Sequence, residues 1–112
     1  MISKYELLRD YLTAFADKNL TMLEFMFSND VILHDWSILA TGKEAVLAAN
    51  KTIFDNVTNI VINIDNFSED RTDNNLMFAQ LEVIVDNEVI NVVDVIKFDK
   101  NNKITKITAY KR

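Results

Sequence analysis

The sequence predicts an α+β fold in which three N-terminal helices pack on one face of a curved antiparallel sheet. The first two-fifths of the chain carries apolar residues at helical spacing, whereas the remainder contains four strand-like runs rich in Val and Ile. Short links rich in Asn and Asp join these runs, so consecutive strands are expected to pair antiparallel. Helices that precede an antiparallel sheet are typical of the α+β class, and here we expect them to enclose a pocket against the sheet.

Three helix starts are predicted where a hydroxyl residue precedes a glutamate by three positions, a pairing that satisfies free backbone N–H groups. These capping boxes are Ser3–Glu6, Thr21–Glu24 and Thr41–Glu44. An apolar stripe along the first helix indicates the side that faces the core; it consists of Leu8, Tyr11, Leu12 and Phe15. The second helix is short and ends near "SND", and its methionine–aromatic cluster is expected in the core: Met22, Phe25, Met26 and Phe27. The third helix is predicted from Lys43 to about Phe54.

A short strand, "DVILHDWS", is predicted between the second and third helices. Its alternation places Asp35 on the same face as Val31 and Leu33, and His34 on the other face. The four later strands are predicted in the runs "VTNIVINIDNF", "LMFAQLEVIVD", "EVINVVDVIKF" and "KITKITAYK". The turns between them contain Asn and Asp, which tolerate the left-handed backbone that tight turns need.

One carboxylate stands on an otherwise apolar strand face. Alternate residues from Ile90 share one side of the predicted strand, and they are Ile90, Val92, Asp94, Ile96 and Phe98. Burying an ionised carboxylate without a partner is so costly that the group usually takes up a proton instead. The position of Asp94 therefore indicates either a neutral acid with a chemical role or a structural residue hydrogen-bonded to Tyr11 or to a backbone N–H.

Length and composition exclude several classes of site. At 112 residues the chain is expected to form one domain, 1–112. It has no cysteine and a single histidine, His34, so thiolate and multi-histidine metal sites are excluded, and no cofactor is expected. With no apolar N-terminal run and no stretch of membrane-spanning length, we expect a cytoplasmic protein that does not enter a membrane.

The net charge of −5 argues against a nucleic-acid binder. Six of the twelve basic residues nevertheless lie in the last sixteen positions, "KFDKNNKITKITAYKR". Lysines on a terminal hairpin commonly protect a sheet edge from aggregation. A surface for an anionic partner is the alternative interpretation of this segment.

Three segments together resemble the NTF2-like superfamily, in its SnoaL-like and ketosteroid-isomerase-like branch. They are "DYLTAFADKNLTMLEFMFSNDVILHDW", "TGKEAV" and "VVDVIKFDKNNKITKITAY". The resemblance covers nearly the whole chain and implies the NTF2-like (cystatin-like) cone, with a homodimer formed through the outer face of the sheet. Members of this superfamily include isomerases, cyclases, dehydratases, hydrolases and non-catalytic binding modules, so the fold alone does not decide the function.

The resemblance also implies roles for three residues. Tyr11 matches the family's helix-one tyrosine, Asp35 its strand-end aspartate and Asp94 its late-strand aspartate. Asp35 would then be the base that moves a proton next to a carbonyl. Tyr11 and a protonated Asp94 would donate hydrogen bonds to the enolate oxygen, a division of labour that such proton transfer requires.

Each of these residues also has a structural interpretation. Tyr11 could be a core aromatic whose hydroxyl finds a buried partner, and Asp35 a turn or cap residue. Trp36 stands where the family often has proline, and the segment "DWSILATG" is shorter than in the steroid isomerases, so a steroid-sized substrate does not follow from the resemblance. Trp36 could line the pocket or fill it.

The sequence therefore leaves two main hypotheses for function. The first is a cofactor-independent isomerase or cyclase acting on a small apolar molecule that contains a carbonyl. The second is a non-catalytic module that binds a small ligand or a partner protein. In both, the residues expected to line the pocket are Trp36, Phe15, Val92 and Ile96.

Overall fold

The computed structural model describes residues 2–112, which form three helices and six strands. In chain order the elements are α1 (Lys4–Ala16), α2 (Leu20–Met26), β1 (Phe27–His34), β2 (Leu39–Thr41), α3 (Lys43–Asn56), β3 (Ile60–Glu69), β4 (Leu76–Val85), β5 (Glu88–Phe98) and β6 (Ile104–Lys111). The α+β class and the order of the predicted elements are confirmed. Of the described helices, none is both long and apolar enough to cross a membrane.

The six strands form one sheet with the order β2-β1-β6-β5-β4-β3. The consecutive pairs from β3 to β6 are antiparallel, as their short links predicted. Two features were not predicted: β2 adds an antiparallel edge to β1, and β1 pairs parallel with β6. Register irregularities in three of the pairs bend the sheet, because an extra residue on one strand increases its local twist.

The helices cover one face of this curved sheet. Helix α1 packs on β3 and β4, and α3 packs on β1 and β2. The covered face of β5 is the predicted one, since Val92, Asp94, Ile96 and Phe98 are buried. Between the two layers the core contains Leu8 of α1 and Val46 of α3, neither of which is exposed.

Only the first of the three predicted capping boxes is present. Ser3 caps α1, and its Oγ accepts a hydrogen bond of 3.1 Å from the Glu6 N–H. Helix α2 is capped by Asn19 instead of Thr21: the Asn19 Oδ1 accepts from the Met22 N–H at 3.0 Å. The box at Thr41 is wrong because Thr41 belongs to β2.

Helix α3 instead begins after Gly42, which has a φ of 94° and caps the helix without a side-chain hydrogen bond. Such a left-handed backbone is strained for other residues, so the single glycine of the chain is needed at this turn.

The methionine–aromatic cluster is only half buried in the core. Met26 and Phe27 are buried as predicted, but Met22 and Phe25 are exposed, with Phe25 69% accessible. A helix of seven residues has room for only one buried stripe, and in α2 this stripe consists of Leu23 and Met26. The segment "SND" also differs from expectation, because it lies inside β1, where the irregular pairing with β6 accommodates it.

The turns of the sheet use Asn and Asp in the predicted way. Asp86 and Asn87 connect β4 to β5 with φ values of 50° and 73°, and Asn102 has 62° between β5 and β6. The Asp86 carboxylate also accepts hydrogen bonds from the backbone N–H groups of Thr58 and Asn59, which fixes the start of β3 beside this turn.

Candidate functional site

A cavity of about 320 Å³ lies between the helices and the covered face of the sheet. Its walls are mostly Leu, Ile and Val side chains from α1, α3 and the strands. Five polar residues interrupt this lining: Tyr11, Asp35, Ser37, Asn50 and Asp94. A cavity of this size is at the small end of the range of ligand pockets, which is roughly 300–1,000 Å³. Its dimensions and lining therefore suit a compact, mainly apolar molecule.

The structure brings the three residues suggested by the resemblance to this one cavity. Tyr11 comes from α1, Asp35 from the position just after β1 and Asp94 from the middle of β5, and all three line it. Of the other residues expected to line a pocket, Phe15, Trp36 and Val92 do so. Ile96 does not line the cavity. It is fully buried in the core two residues beyond Asp94, where the helices cover the sheet closely.

Asp94 is flanked by two small residues on the cavity side of the sheet. Its cross-strand partners are Ala79 on β4 and Ala109 on β6, and directly opposite residues share one face. Because alanine ends at a methyl group, the space above the carboxyl stays open to the cavity. The same residue is only 7% accessible, so it meets a ligand in an environment that contains little solvent.

Burial and a like charge alter the acidity of this carboxyl. Desolvation, and secondarily the negative charge of Asp35, raise the pKa of Asp94 from 3.8 to about 7. Desolvation acts in this direction because it penalises the ionised form. Near neutral pH a large fraction of Asp94 is therefore protonated, and a protonated carboxyl can donate a hydrogen bond, which a carboxylate cannot.

The sheet register explains why Asp35 influences Asp94. Leu33 and His34 pair with Ile107 and Thr108 of β6, and Asp35 is the first residue after the end of β1. Ala109 of β6 lies opposite Asp94. Because β6 lies between β1 and β5, the two carboxylates are about two strand spacings apart, or roughly 10 Å between their Cα atoms.

Asp35 is held through one of its two carboxylate oxygens. The Asp35 Oδ1 accepts hydrogen bonds from the backbone N–H groups of Ser37 at 2.8 Å and Ile38 at 2.7 Å. The Asp35 N–H also donates to the Ile38 carbonyl at 2.9 Å. These contacts confirm a turn role and fix the orientation of the carboxylate. None of them uses Oδ2, which keeps its capacity to accept a proton.

Tyr11 completes the polar end of the cavity from the helical side. Its ring packs between Phe15 and Phe27, with centroids 6.4 and 6.3 Å away, and only 5% of the residue is exposed. Burial, followed by the charges of Asp94 and Asp35, raises the pKa of Tyr11 well above 10.0. The phenol therefore stays protonated and is a second neutral donor beside Asp94.

Trp36 lies at the mouth of the cavity and does not fill it. The side chain lines the cavity but is 48% exposed, and the Lys111 ammonium is 5.6 Å from its ring centroid. His34 is exposed on the opposite face of β1, as its alternation with Asp35 predicted. Within residues 2–112, no cluster of three His, Asp or Glu side chains is arranged to hold a metal ion.

Asn50 is a site residue that was not predicted from the sequence. It lies on α3, lines the cavity and is only 2% exposed, and its Nδ2 has no hydrogen-bond partner within residues 2–112. An unsatisfied buried amide costs about 1–3 kcal/mol of stability. One feature of the sequence could have indicated this residue. Asn50 lies four residues after Val46 and four before Phe54, so its amide is on the apolar side of the helix.

Part of the basic C-terminal segment contacts its own chain. Lys103 donates to the Phe25 carbonyl at 2.8 Å, and its ammonium is 3.7 Å from the centroid of the Phe25 ring. Lys97 is 3.7 Å from a carboxylate oxygen of Asp73. These residues connect the last hairpin to α2 and to the turn before β4, which gives them a structural role.

The negative charge of Asp35 is one of the two causes of the raised pKa of Asp94, and this influence can be tested. Replacing Asp35 by asparagine removes the like charge but retains an oxygen that can accept from Ser37 and Ile38. We expect the pKa of Asp94 to fall by less than half of its displacement from 3.8, because burial is the larger cause of the shift. Carbon-detected NMR of the Asp94 carboxyl across pH measures this change. Asp30→Asn, at an exposed position of β1, is the control and should leave the pKa of Asp94 unchanged.

Comparisons with known proteins agree with this fold. A family model described as a SnoaL-like domain matches residues 5–101. No protein of curated function matches the chain. An NTF2-like protein of unknown function from Cytophaga hutchinsonii superposes with a TM-score of 0.82 at 12% identity, covering 100% of this chain and 92% of its own.

Two structures with functional names are also similar. A protein provisionally named a SnoaL-like polyketide cyclase, from Shewanella denitrificans, has a TM-score of 0.78 at 17% identity, over 96% of this chain and 89% of its own. A steroid delta-isomerase from Pseudomonas aeruginosa has a TM-score of 0.73 at 15% identity, over 95% of this chain and 77% of its own. At these identities the likeness shows the shared fold alone.

Proposed function

The chain belongs to the SnoaL-like domain family, and from this premise we propose that it binds a compact apolar carbonyl compound and moves a proton next to the carbonyl. It would act as a cofactor-independent isomerase or cyclase. The observation that carries the proposal is the meeting of Tyr11, Asp35 and a carboxyl with a raised pKa, Asp94, in one apolar cavity.

The proposed chemistry divides the work among these three side chains. The Asp35 carboxylate removes a proton from the carbon beside the carbonyl. The electrons of that C–H bond form a C=C bond, and the π electrons of the carbonyl move onto its oxygen. The Tyr11 hydroxyl and the protonated Asp94 donate hydrogen bonds to the resulting enolate oxygen. Asp35 then returns the proton to another carbon, which completes an isomerisation without an external acid or base.

A phenol tests the oxyanion part of this proposal, since its oxygen resembles an enolate oxygen on a flat apolar ring. We expect 2-naphthol to bind the wild-type protein, and Tyr11→Phe to weaken its binding about tenfold, because removing one good donor costs about 1.4 kcal/mol. Tyr5→Phe is the matched control: Tyr5 is on the same helix, but its ring packs on Phe67, 4.2 Å between centroids, and does not line the cavity. Equal binding to both variants would contradict the proposal.

The second candidate function is a non-catalytic ligand-binding module. It is favoured by the two backbone hydrogen bonds that end on Asp35 Oδ1, since these give the aspartate a role in the turn that needs no chemistry. In this case the cavity would bind an apolar molecule, and replacement of Asp35 or Asp94 would leave that binding intact.

We further propose that two copies associate through the outer face of the sheet. Val93 on β5 and its cross-strand partner Tyr110 on β6 are exposed on this face. Val61 on β3 and Val89 on β5 are exposed there too, on either side of Ile84 in β4. Exposed apolar side chains clustered on one face are typical of protein interfaces. Sedimentation equilibrium should give the mass of a dimer, and a monomer mass at micromolar concentration would exclude a stable one.

A further inference from the structure

The buried amide of Asn50 lines the cavity but has no role in the proposed proton transfer. Val46, one helical turn earlier, and Phe54, one turn later, are both buried, so Asn50 interrupts an apolar stripe. Its Nδ2 is a buried donor without an acceptor in residues 2–112. A buried donor that no described residue satisfies points to an acceptor supplied by a ligand.

Asn50 approaches the cavity from a different wall than the three proposed catalytic residues. It projects from α3, whereas Tyr11 belongs to α1 and Asp94 to the sheet. The two helices meet one turn further along, where the Phe54 ring contacts Phe15 edge-on at 5.1 Å. A ligand in the cavity can therefore form polar contacts with Asn50 on α3 as well as with Tyr11 and Asp94.

The charges around the cavity restrict the chemistry of the second contact. Of the described residues that line it, none is Lys, Arg or His, and two are aspartates. An anionic ligand group such as a carboxylate or phosphate would be repelled by Asp35 and would find no cation among the residues that line the cavity. A neutral oxygen can accept from an amide N–H at no such cost.

We propose that Asn50 is a specificity-determining residue that donates a hydrogen bond to a second, neutral oxygen of the ligand. The natural ligand would then be an apolar molecule with two oxygen functions. One is the carbonyl at Tyr11 and Asp94, and this assignment rests on the proposed function. The other is a hydroxyl, ether or second carbonyl oxygen that reaches Asn50.

Paired ligands test this inference. The probes are 2-naphthol and a panel of naphthalenediols that share its ring system but differ in the position of the second hydroxyl. We expect at least one diol to bind the wild-type protein about tenfold more tightly than 2-naphthol. Asn50→Leu should abolish this difference and leave the affinity for 2-naphthol within twofold.

Two further variants keep the result interpretable. Asn50→Ala removes the amide without adding bulk and should behave like Asn50→Leu. Asn56→Ala is the control, since Asn56 is exposed at the end of the same helix and its Nδ2 already donates to the Thr52 carbonyl at 2.7 Å. Asn50→Leu should also raise the melting temperature of the unliganded protein, because it removes an unpaired buried donor.

The inference is overturned if no diol binds the wild-type protein more tightly than 2-naphthol, or if the gain persists in both Asn50 variants. A lower melting temperature for Asn50→Leu and Asn50→Ala alike would also overturn it, by showing that the amide stabilises the protein itself. Failure of the proposed function appears differently, as 2-naphthol binding that does not respond to Tyr11→Phe while the diol difference is still measured.

Discussion

Asp94→Asn is expected to stabilise the protein at pH 8 and to remove much of the loss of stability between pH 4 and pH 7. In the unfolded chain the carboxyl ionises near 3.8, whereas in the folded protein burial and Asp35 raise the pKa of Asp94 to about 7. Between these values the unfolded state binds fewer protons than the native state, so stability falls as pH rises through this window. The penalty is complete and constant once the pH is about one unit above this folded-state pKa.

The size of this effect follows from the difference between the pKa of Asp94 in the unfolded chain and its pKa in the folded protein. Each pKa unit corresponds to 1.36 kcal/mol, so the roughly three units imply a penalty on the order of 4 kcal/mol at pH 8. Asparagine has nearly the shape of the neutral acid but does not ionise. Urea unfolding of the wild type and the variant at pH 4.5 and pH 8 measures the difference, which should be small at the lower pH and several kcal/mol at the higher.

The control for this measurement removes the same charge elsewhere. Asp65 is exposed on β3, so Asp65→Asn should change stability by no more than about 0.5 kcal/mol at either pH. If Asp94→Asn were as stable as the wild type at pH 8, the carboxyl would be ionised without penalty. The enolate mechanism would then lack its second donor.

The second large effect is expected on turnover. For an enone that the wild-type protein isomerises, Asp35→Asn should lower kcat by a factor of about 10² to 10⁴, the usual contribution of a general base. Because the asparagine oxygen can still accept from the N–H groups of Ser37 and Ile38, the turn should persist and binding of 2-naphthol should be retained. Steady-state kinetics and a binding titration on the same sample separate the two quantities.

Asp30→Asn is the matched control for turnover, since Asp30 is an exposed carboxylate on β1 that accepts from the Ser28 hydroxyl at 2.8 Å. It should leave kcat unchanged. Full turnover by Asp35→Asn would assign Asp35 to the turn alone. The function would then be that of a binding module, with any observed isomerisation arising elsewhere.

Local patterns in the sequence were enough to predict the features that depend on neighbouring residues. The alternation from Ile90 to Phe98 predicted which face of β5 is buried, because side-chain direction in a strand depends only on position along it. The left-handed turn at Asp86 and Asn87 was predicted from the residue types that tolerate such a backbone. Ser3 capped its helix for the same local reason.

Contacts between distant segments could be identified only from the tertiary structure. The parallel pairing of β1 with β6 could not be predicted from local sequence patterns. It places the end of β1 two strands from β5, and the charge of Asp35 beyond that end contributes to the raised pKa of Asp94. Strand β2 was not predicted because three residues are too few to show alternation. Thr41 was therefore predicted to cap a helix. In the structure it pairs with Ile32 of β1 and belongs to a strand.

Asn50 shows most clearly what the sequence by itself determined and what the tertiary structure decided. Its place on the apolar side of α3 follows from helical spacing, which the sequence contains. Whether the amide finds an acceptor depends on which side chains α1 and the sheet bring to it, and those come from remote parts of the chain. The sequence thus determined which faces are buried, since burial patterns are local. Only the tertiary structure decided which buried polar groups share a cavity and which remain unpaired, because that depends on packing between elements.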